Sequence, residues 1–346
     1  MAGEPDSPGR PGRPGQTAEC LVVMYHFVRD AERTPYPGIR ARRVADFQGQ
    51  VEFLCRHHQP LTMRDLLRFA AGECDLPAGG FYLTFDDGFR DHLDTVMPIL
   101  QRAGLEGAFF PMTEPLVRGR VPSVEKLRFL IYNVDFPTVQ AEFFGALGRL
   151  FPDVDASPWR YDDASAPRAT KYARFDDPRV AHFKRAVTLE IPRQVRDAVL
   201  DTVFTRHFGP DADFIDELYM NWSELAELRA GGMVIGGHTV THPWLPRLSA
   251  GEQGEQINVA WNQLERRLGR PLEVFAYPYG AFDTATLAIL RRRGCRLAFT
   301  THIGTSLDRR RPLQVDRLDT NDLPVSPADE PNAWSRQAGL RPALRP

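Results

Sequence analysis

Short apolar runs alternate with longer stretches of helical period along this chain. The runs at 20–26 (CLVVMYH), 80–85 (GFYLTF), 106–111 (EGAFFP), 231–238 (GGMVIGGH), 273–278 (EVFAYP) and 296–301 (RLAFTT) predict buried strands. Between them, 44–58 and 62–72 carry helical patterns, the first ending at His57 and His58, which are expected to be solvated, and the second with Thr62 and Asp65 placed as a cap and its third-position partner. A helix over 94–104 ends at Gly104. Ser249 and Glu252 form a capping box for a helix whose apolar stripe is Ile257, Trp261, Leu264 and Leu268, stopped by Gly269 and Pro271. A last helix is capped by Asp283 and stopped by Gly294.

Strand–helix alternation implies parallel strands joined by crossover helices. The residues with chemical potential, Asp86, Asp87, His238, His242 and Tyr279, follow the C-terminal ends of the strands. That is where α/β barrels carry their sites, so a barrel is expected over an open doubly wound sheet. No glycine-rich loop follows the first strand, which argues against a dinucleotide fold. Residues 115–220 interrupt the alternation with helical patterns and a charged stretch. They are expected to form a helical insertion joining the barrel at its site-bearing end, as a packing subdomain or as a lid that shapes the substrate pocket, two compatible readings. In the second case Arg160, Tyr161, Lys171 and Tyr172 are candidates for binding a phosphate or sugar group.

The ends of the chain read differently. Residues 1–18 hold four prolines and four glycines, a composition expected to stay disordered. Residues 323–346 are proline-rich and expected to be extended. The unit between them, 19–322, is the barrel with its insertion. A net charge of −2 gives no general attraction to nucleic acid. Four widely spaced cysteines without a C-x-x-C pair read as free thiols in a reducing compartment. Neither a secretory signal nor a run of 18 apolar residues is seen, so a cytoplasmic location without a membrane span is expected.

Two adjacent aspartates at a strand end cannot point the same way; one can bind a metal while the other faces the reacting water. Gly88 permits the sharp turn after them. The H-x-x-x-H spacing of His238 and His242 lets both imidazoles reach one ion. Two imidazoles and a carboxylate leave positions open for water and a substrate oxygen, and the second carboxylate can take the water's proton.

On these motifs the chain resembles the polysaccharide deacetylase (NodB-homology) family, carbohydrate esterase family four. TFDDG (84–88) matches the family's first motif, and HTVTH (238–242) its H-[ST]-x-x-H metal motif. FAYPYG (275–280) is similar to its third motif, and VVMYHFV (22–28) to the opening strand of a large subgroup. The matches run from about residue 21 to 319, outside the insertion. The resemblance implies a distorted (β/α)7 barrel and metal-dependent removal of an N-acyl group, acetyl or formyl, from an amino sugar. It implies Asp86 as general base and Asp87, His238 and His242 as ligands of a divalent metal, zinc first, with Co2+, Ni2+ or Mn2+ as alternatives. It also implies that the backbone N–H of Tyr279 holds the oxyanion, while the Thr239 side chain steadies the metal loop.

Two departures from the family pattern stand out. Many relatives carry an arginine that restrains the catalytic aspartate where this chain has Ala276; Arg317 is the candidate substitute. Many use a late histidine as general acid; the context of His302 matches poorly, and His26 is the alternative. Trp244, Tyr277 and Arg317 make up the expected substrate-binding set. The expected substrate is a small nucleotide-linked or lipid-linked amino sugar, because extra helices would obstruct a long groove for polymer. Competing readings are an amidohydrolase on a non-sugar C–N bond and an inactive glycan-binding homologue. The oligomeric state is not legible in the sequence.

Overall fold

The computed structural model describes residues 16–161 and 176–341. Nine strands occur among them: β1 (Thr17–Tyr25), β2 (Gln59–Pro60), β3 (Gly80–Asp87), β4 (Gly107–Pro111), β5 (Val234–Ile235), β6 (Val274–Ala276), β7 (Leu297–Phe299), β8 (Ser306–Asp308) and β9 (Leu318–Asp319). The parallel order β5-β4-β3-β1 continues to β9, which pairs with β1 at Val23 and Met24. From the other edge, a bridge between Gly237 and Phe275 joins β5 to the parallel pair β6-β7. A bridge between Phe299 and Val315 returns the circle to the segment that enters β9. The result is a barrel, as the alternation predicts, of the distorted (β/α)7 form that the resemblance implies. β2 is a short addition beside β3, and β8 runs antiparallel to the start of β1.

Both faces of the barrel strands are buried, and side chains alternate between two cores. Cys20, Val22, Tyr82, Ala108, Phe110, Val274 and Phe299 belong to one cluster, which fills the barrel. Leu21, Val23, Tyr25, Phe81, Leu83, Phe85 and Phe109 belong to another, shared with the surrounding helices. Phe85 is central to that layer, stacked on Tyr25 at 5.3 Å and on Phe109 at 4.6 Å. The caps predicted at Thr62, Ser249 and Asp283 form, each as a capping box.

The insertion leaves directly after β4, with helices Thr113–Arg118, Ser123–Asn133, Phe136–Leu150, Pro178–Arg185, Arg193–Phe208 and Ala212–Leu218. It has its own core around Phe129, Phe143, Phe183 and Phe204, which also takes in Phe27 and Phe89 from the barrel's strand ends. Lys126 is buried between helices, paired with Asp201 at 2.6 Å and Asp211 at 2.7 Å. Both ends of the insertion are tied to the mouth of the barrel. Thr113 and Glu114 donate to the carbonyls of Thr239 and Val240, while Arg90 donates to Leu218 and Met220 to Gly88.

Three expectations need correction. The boundary at residue 18 falls inside a strand, because Thr17–Glu19 pairs with Asp308–Ser306; residues 1–15 lie outside the described residues. The tail is not simply extended. Asn332 caps a helix, Ala333–Ala338, whose Ser335 and Ala338 are buried, and the carbonyl of Ala338 accepts from Gly79 N–H. The prolines around it obscured a capped turn with a packing face; residues 342–346 lie outside the description. His58, expected to be solvated beside His57, is fully buried, and burial lowers its pKa to about 4.

Phe85→Ala removes a ring that touches strand and helix partners at once. The expected cost is about 3–5 kcal/mol of unfolding free energy, read from denaturant midpoints. A loss near zero would contradict the placement of this ring at the centre of the helix-facing core.

Candidate metal centre

Alternation along β3 decides where its two carboxylates go. Tyr82 and Thr84 face the barrel interior, and Asp86 continues that row. The next residue would face the helices if the strand ran on. Instead Asp87 turns at φ 76, and Gly88 follows at φ 82. A side chain at Gly88 would meet Pro111 Cβ at 2.6 Å, so the turn requires glycine on both counts. Among the described residues, four non-glycine residues have positive φ: Asp87, Thr239, His242 and Tyr279. All four stand around this one point, and left-handed backbone at non-glycine residues is a local cost that clusters at functional sites.

Asp87, His238 and His242 are buried, and their ligand atoms lie within 4.8 Å of one another. Asp87 Oδ1 is 3.4 Å from His238 Nε2 and 3.6 Å from His242 Nε2. Asp87 Oδ1 and His238 Nε2 are sealed from water without a hydrogen-bond partner. Bonds of about 2.0–2.1 Å to one tetrahedral ion place its ligands about 3.3–3.4 Å apart, so the spacing fits a zinc-sized cation. His238 Nδ1 lies 2.8 Å from the Ala276 carbonyl, which fixes the tautomer that turns Nε2 toward Asp87. His242 N–H donates to Thr239 Oγ1 at 3.1 Å, so this threonine does steady the loop. Burial opposes ionisation of Asp87, but the neighbouring His238 and the charges of His242, His26 and Arg128 outweigh it and hold its pKa well below the usual value. Burial pushes His242 down to about 3, which favours the neutral, ligating form.

Asp86 is paired with Arg317, Nη1 to Oδ1 at 2.9 Å and Nη2 to Oδ2 at 2.8 Å. Arg317 also donates Nε–H to the Thr300 carbonyl at 2.7 Å and Nη1–H to Thr84 Oγ1 at 3.2 Å. Burial raises the Asp86 pKa, yet Arg317 and then His238 outweigh it and bring it below the ordinary 3.8. Arg317, immediately before β9, thus holds Asp86 where the chain offers only Ala276 at the other expected position.

The remaining expected site residues divide. His26 Nε2 is 3.9 Å from Asp87 Oδ2, and burial lowers its pKa below 6.5. Tyr279, at φ 57, packs its ring 4.5 Å from His242 and 5.1 Å from half-buried Trp244. Tyr277 and Arg317 are corrections to the substrate-binding set. Tyr277 is fully buried with its hydroxyl donating to the Leu313 carbonyl, and Arg317 is sealed behind Asp86. His302 sits 68% exposed near Asp316, a surface residue. A cleft of 740 Å³ opens over the centre, lined by His26, Tyr279, Arg40, Arg42, and, from the insertion, Arg128 and Lys184. Arg160 is not among its lining residues; it stacks on Phe144. Tyr161 packs against His182 instead, and Lys171 and Tyr172 lie outside the described residues.

Sequence reasoning missed Arg128 and Glu125. Arg128 Nη1 is 2.7 Å from Glu125 Oε1 and 3.7 Å from Asp87 Oδ2. The available signal was an acid–base pair three residues apart in an apolar helix, and such pairs are also ordinary features of exposed helix faces.

Residues 202–298 match the family model described as polysaccharide deacetylase, the family the motifs suggested. The matched segment contains His238, His242 and Tyr279; Asp86 and Asp87 precede it. No curated protein matches the chain significantly. Among solved structures, the Streptococcus pyogenes deacetylase PplD in complex with acetate superposes with a TM-score of 0.55 at 16% identity, covering 90% of this chain and 95% of that one. IcaB from Ammonifex degensii gives 0.53 at 18% identity, covering 94% and 98%. A de-N-acetylase from Aggregatibacter actinomycetemcomitans gives 0.50 at 14%, covering 87% and 95%. Likeness at these identities establishes the shared fold; the family match supports a deacetylase-type hydrolase acting on a non-peptide bond.

Arg317→Met strands the Asp86 carboxylate in the barrel. The expected cost at pH 7 is about 3–5 kcal/mol. In the native protein the depressed pKa of Asp86 contributes stability above 3.8 that is lost as the pH falls through its lower folded value. In the variant, burial without the arginine raises the Asp86 pKa above 3.8, so the stranded carboxylate takes up a proton as the pH falls and the deficit should be largest at neutral pH and narrow toward pH 4. Thermal melts of both proteins across that range check this, and a pH-independent deficit would contradict the pairing.

Proposed function

We propose, for a chain whose residues 202–298 match the polysaccharide deacetylase family, that it is a divalent-metal-dependent hydrolase removing an acetyl or formyl group from the nitrogen of an amino sugar. The observation that carries this reading is the meeting of Asp87, His238 and His242, with Asp87 Oδ1 and His238 Nε2 buried and unpartnered, beside the Asp86–Arg317 pair. A divalent ion held by those three residues would supply a water of lowered pKa and an electrophile for the acyl oxygen.

The chain's own residues carry the rest. Asp86, kept ionised by Arg317, accepts the proton of the attacking water. Each of its oxygens has a lone pair beyond the one facing Arg317, so the bidentate pair orients the carboxylate without blocking it. The Tyr279 N–H, fixed by its left-handed turn, is assigned to the oxyanion. His26, at the floor of the cleft, is assigned to protonate the departing amine; a lowered pKa makes its protonated form the stronger acid. In balance, the acyl C–N bond is replaced by a C–O bond, and water's atoms are divided between an amine and a carboxylate.

The substrate reading is a single small amino sugar linked to a nucleotide or lipid. The cleft volume of 740 Å³ lies within the range of sites for one small ligand, and its cations suit a phosphate group. Four cysteines, none paired with another, fit a reducing compartment, and a cytoplasmic location is part of this proposal.

Acetate or formate release from nucleotide-linked, lipid-linked and oligomeric N-acyl amino sugars tests the reading. Release from a linked monomer, abolished by a chelator and restored by zinc, is the expected outcome. Preference for the oligomer would sink the substrate class, and chelator-resistant release would sink the metal. Asp86→Asn should retain the metal and lose about 10²–10⁴ in turnover; a loss of only a few-fold would remove the base assignment.

A further inference from the structure

We propose that Arg128, delivered to the metal centre by helix Ser123–Asn133 of the insertion, is a catalytic residue whose guanidinium holds the acyl oxygen as negative charge develops on it and then holds the carboxylate product. The inference rests on the hydrolysis proposed above.

Asp87 has two oxygens with different surroundings. Oδ1 faces His238 and His242, while Oδ2 faces His26 at 3.9 Å and Arg128 Nη1 at 3.7 Å. Arg128 and His26 therefore flank the ligand set on its cleft side. The Arg128 side chain is 24% exposed and lines the cleft together with Tyr279. Its Nη1 is sealed from water 2.7 Å from Glu125 Oε1, which fixes the guanidinium in place. The exposed remainder of the side chain faces the cleft, where it can meet an oxygen of the substrate.

The partner of Arg128 points the same way. Glu125 is fully buried, and its Oε1 stands 2.7 Å from Arg128 Nη1, which anchors the guanidinium beside Asp87. A helix that only packed would lose nothing if both residues were apolar, since buried ion pairs contribute little to stability. What the pair provides is a fixed cation beside the metal ligands. A neutral amide and an amine product gain little from that cation. The oxyanion and the carboxylate gain much, so the interaction strengthens along the reaction and accelerates it.

The test compares zinc-loaded wild type, Arg128→Met, Arg128→Lys and the double variant Arg128→Met/Glu125→Leu, in which no buried carboxyl is left alone. Turnover is measured alongside acetate binding by calorimetry, with metal content and melting temperature as controls. In the Met and double variants, kcat should fall about 10²–10³-fold with KM nearly unchanged. Acetate affinity should fall about tenfold or more. Lysine should recover part of both. Wild-type acetate affinity in a folded, metal-loaded variant, or a loss confined to KM, would overturn the proposal. Acetate binding needs no turnover, so it decides the role of the arginine even if the wild type hydrolyses none of the sugars, a result that would count against the proposed function alone.

Discussion

Two carboxylates on consecutive residues, Asp86 and Asp87, are both sealed from water at the mouth of the barrel. Neither can stay ionised there without compensation, because each buried charge costs several kcal/mol, on the order of the stability of a domain, unless it is paired. The fold supplies that compensation from opposite sides. Arg317, just before the last strand of the circle, neutralises Asp86 with a bidentate pair. Asp87 has no such partner on Oδ1; it faces two imidazoles instead. A cation would complete this arrangement electrostatically, and the lowered pKa values of Asp87 and His242 favour the ionised carboxylate and the neutral imidazole that such a ligand set needs. The same constraint explains the left-handed backbone at Asp87, Thr239, His242 and Tyr279, which turns groups from separate loops toward a common point.

Much of this was legible in the sequence because it depends on local order. Strand runs, capping boxes and the spacing of His238 and His242 are properties of a few consecutive residues. Arg317 as the substitute restraint was also within reach, since the family's usual position holds Ala276. Its further assignment to substrate failed because sequence does not reveal depth: a residue at a strand end can face the cleft or the barrel interior, and Arg317 faces the interior. Tyr277 failed for the same reason. It alternates with Ala276 along β6 and its extension, and so points into the helix-facing core, bonded to Leu313.

Arg128 was illegible for a different reason. It belongs to an insertion more than forty residues in sequence from Asp87 and more than a hundred from the histidines. Only the closure of the insertion over the mouth, tied at Thr113, Leu218 and Met220, brings it to Asp87. The insertion is thus both a packing unit, with its own aromatic core, and a wall of the cleft. The two readings offered by the sequence were not exclusive, because a helix that buries Leu127, Phe129 and Leu130 can present Arg128 beside them. Substrate access and charge in the cleft then depend on the insertion as much as on the barrel.

The central claim is that these residues hold one divalent cation. Anomalous diffraction at the zinc edge, from crystals of the zinc-soaked protein, tests it most directly. The account predicts a single strong peak within bonding distance of Asp87 Oδ1, His238 Nε2 and His242 Nε2. Full-occupancy zinc bound elsewhere, with no peak among these three atoms, would contradict it.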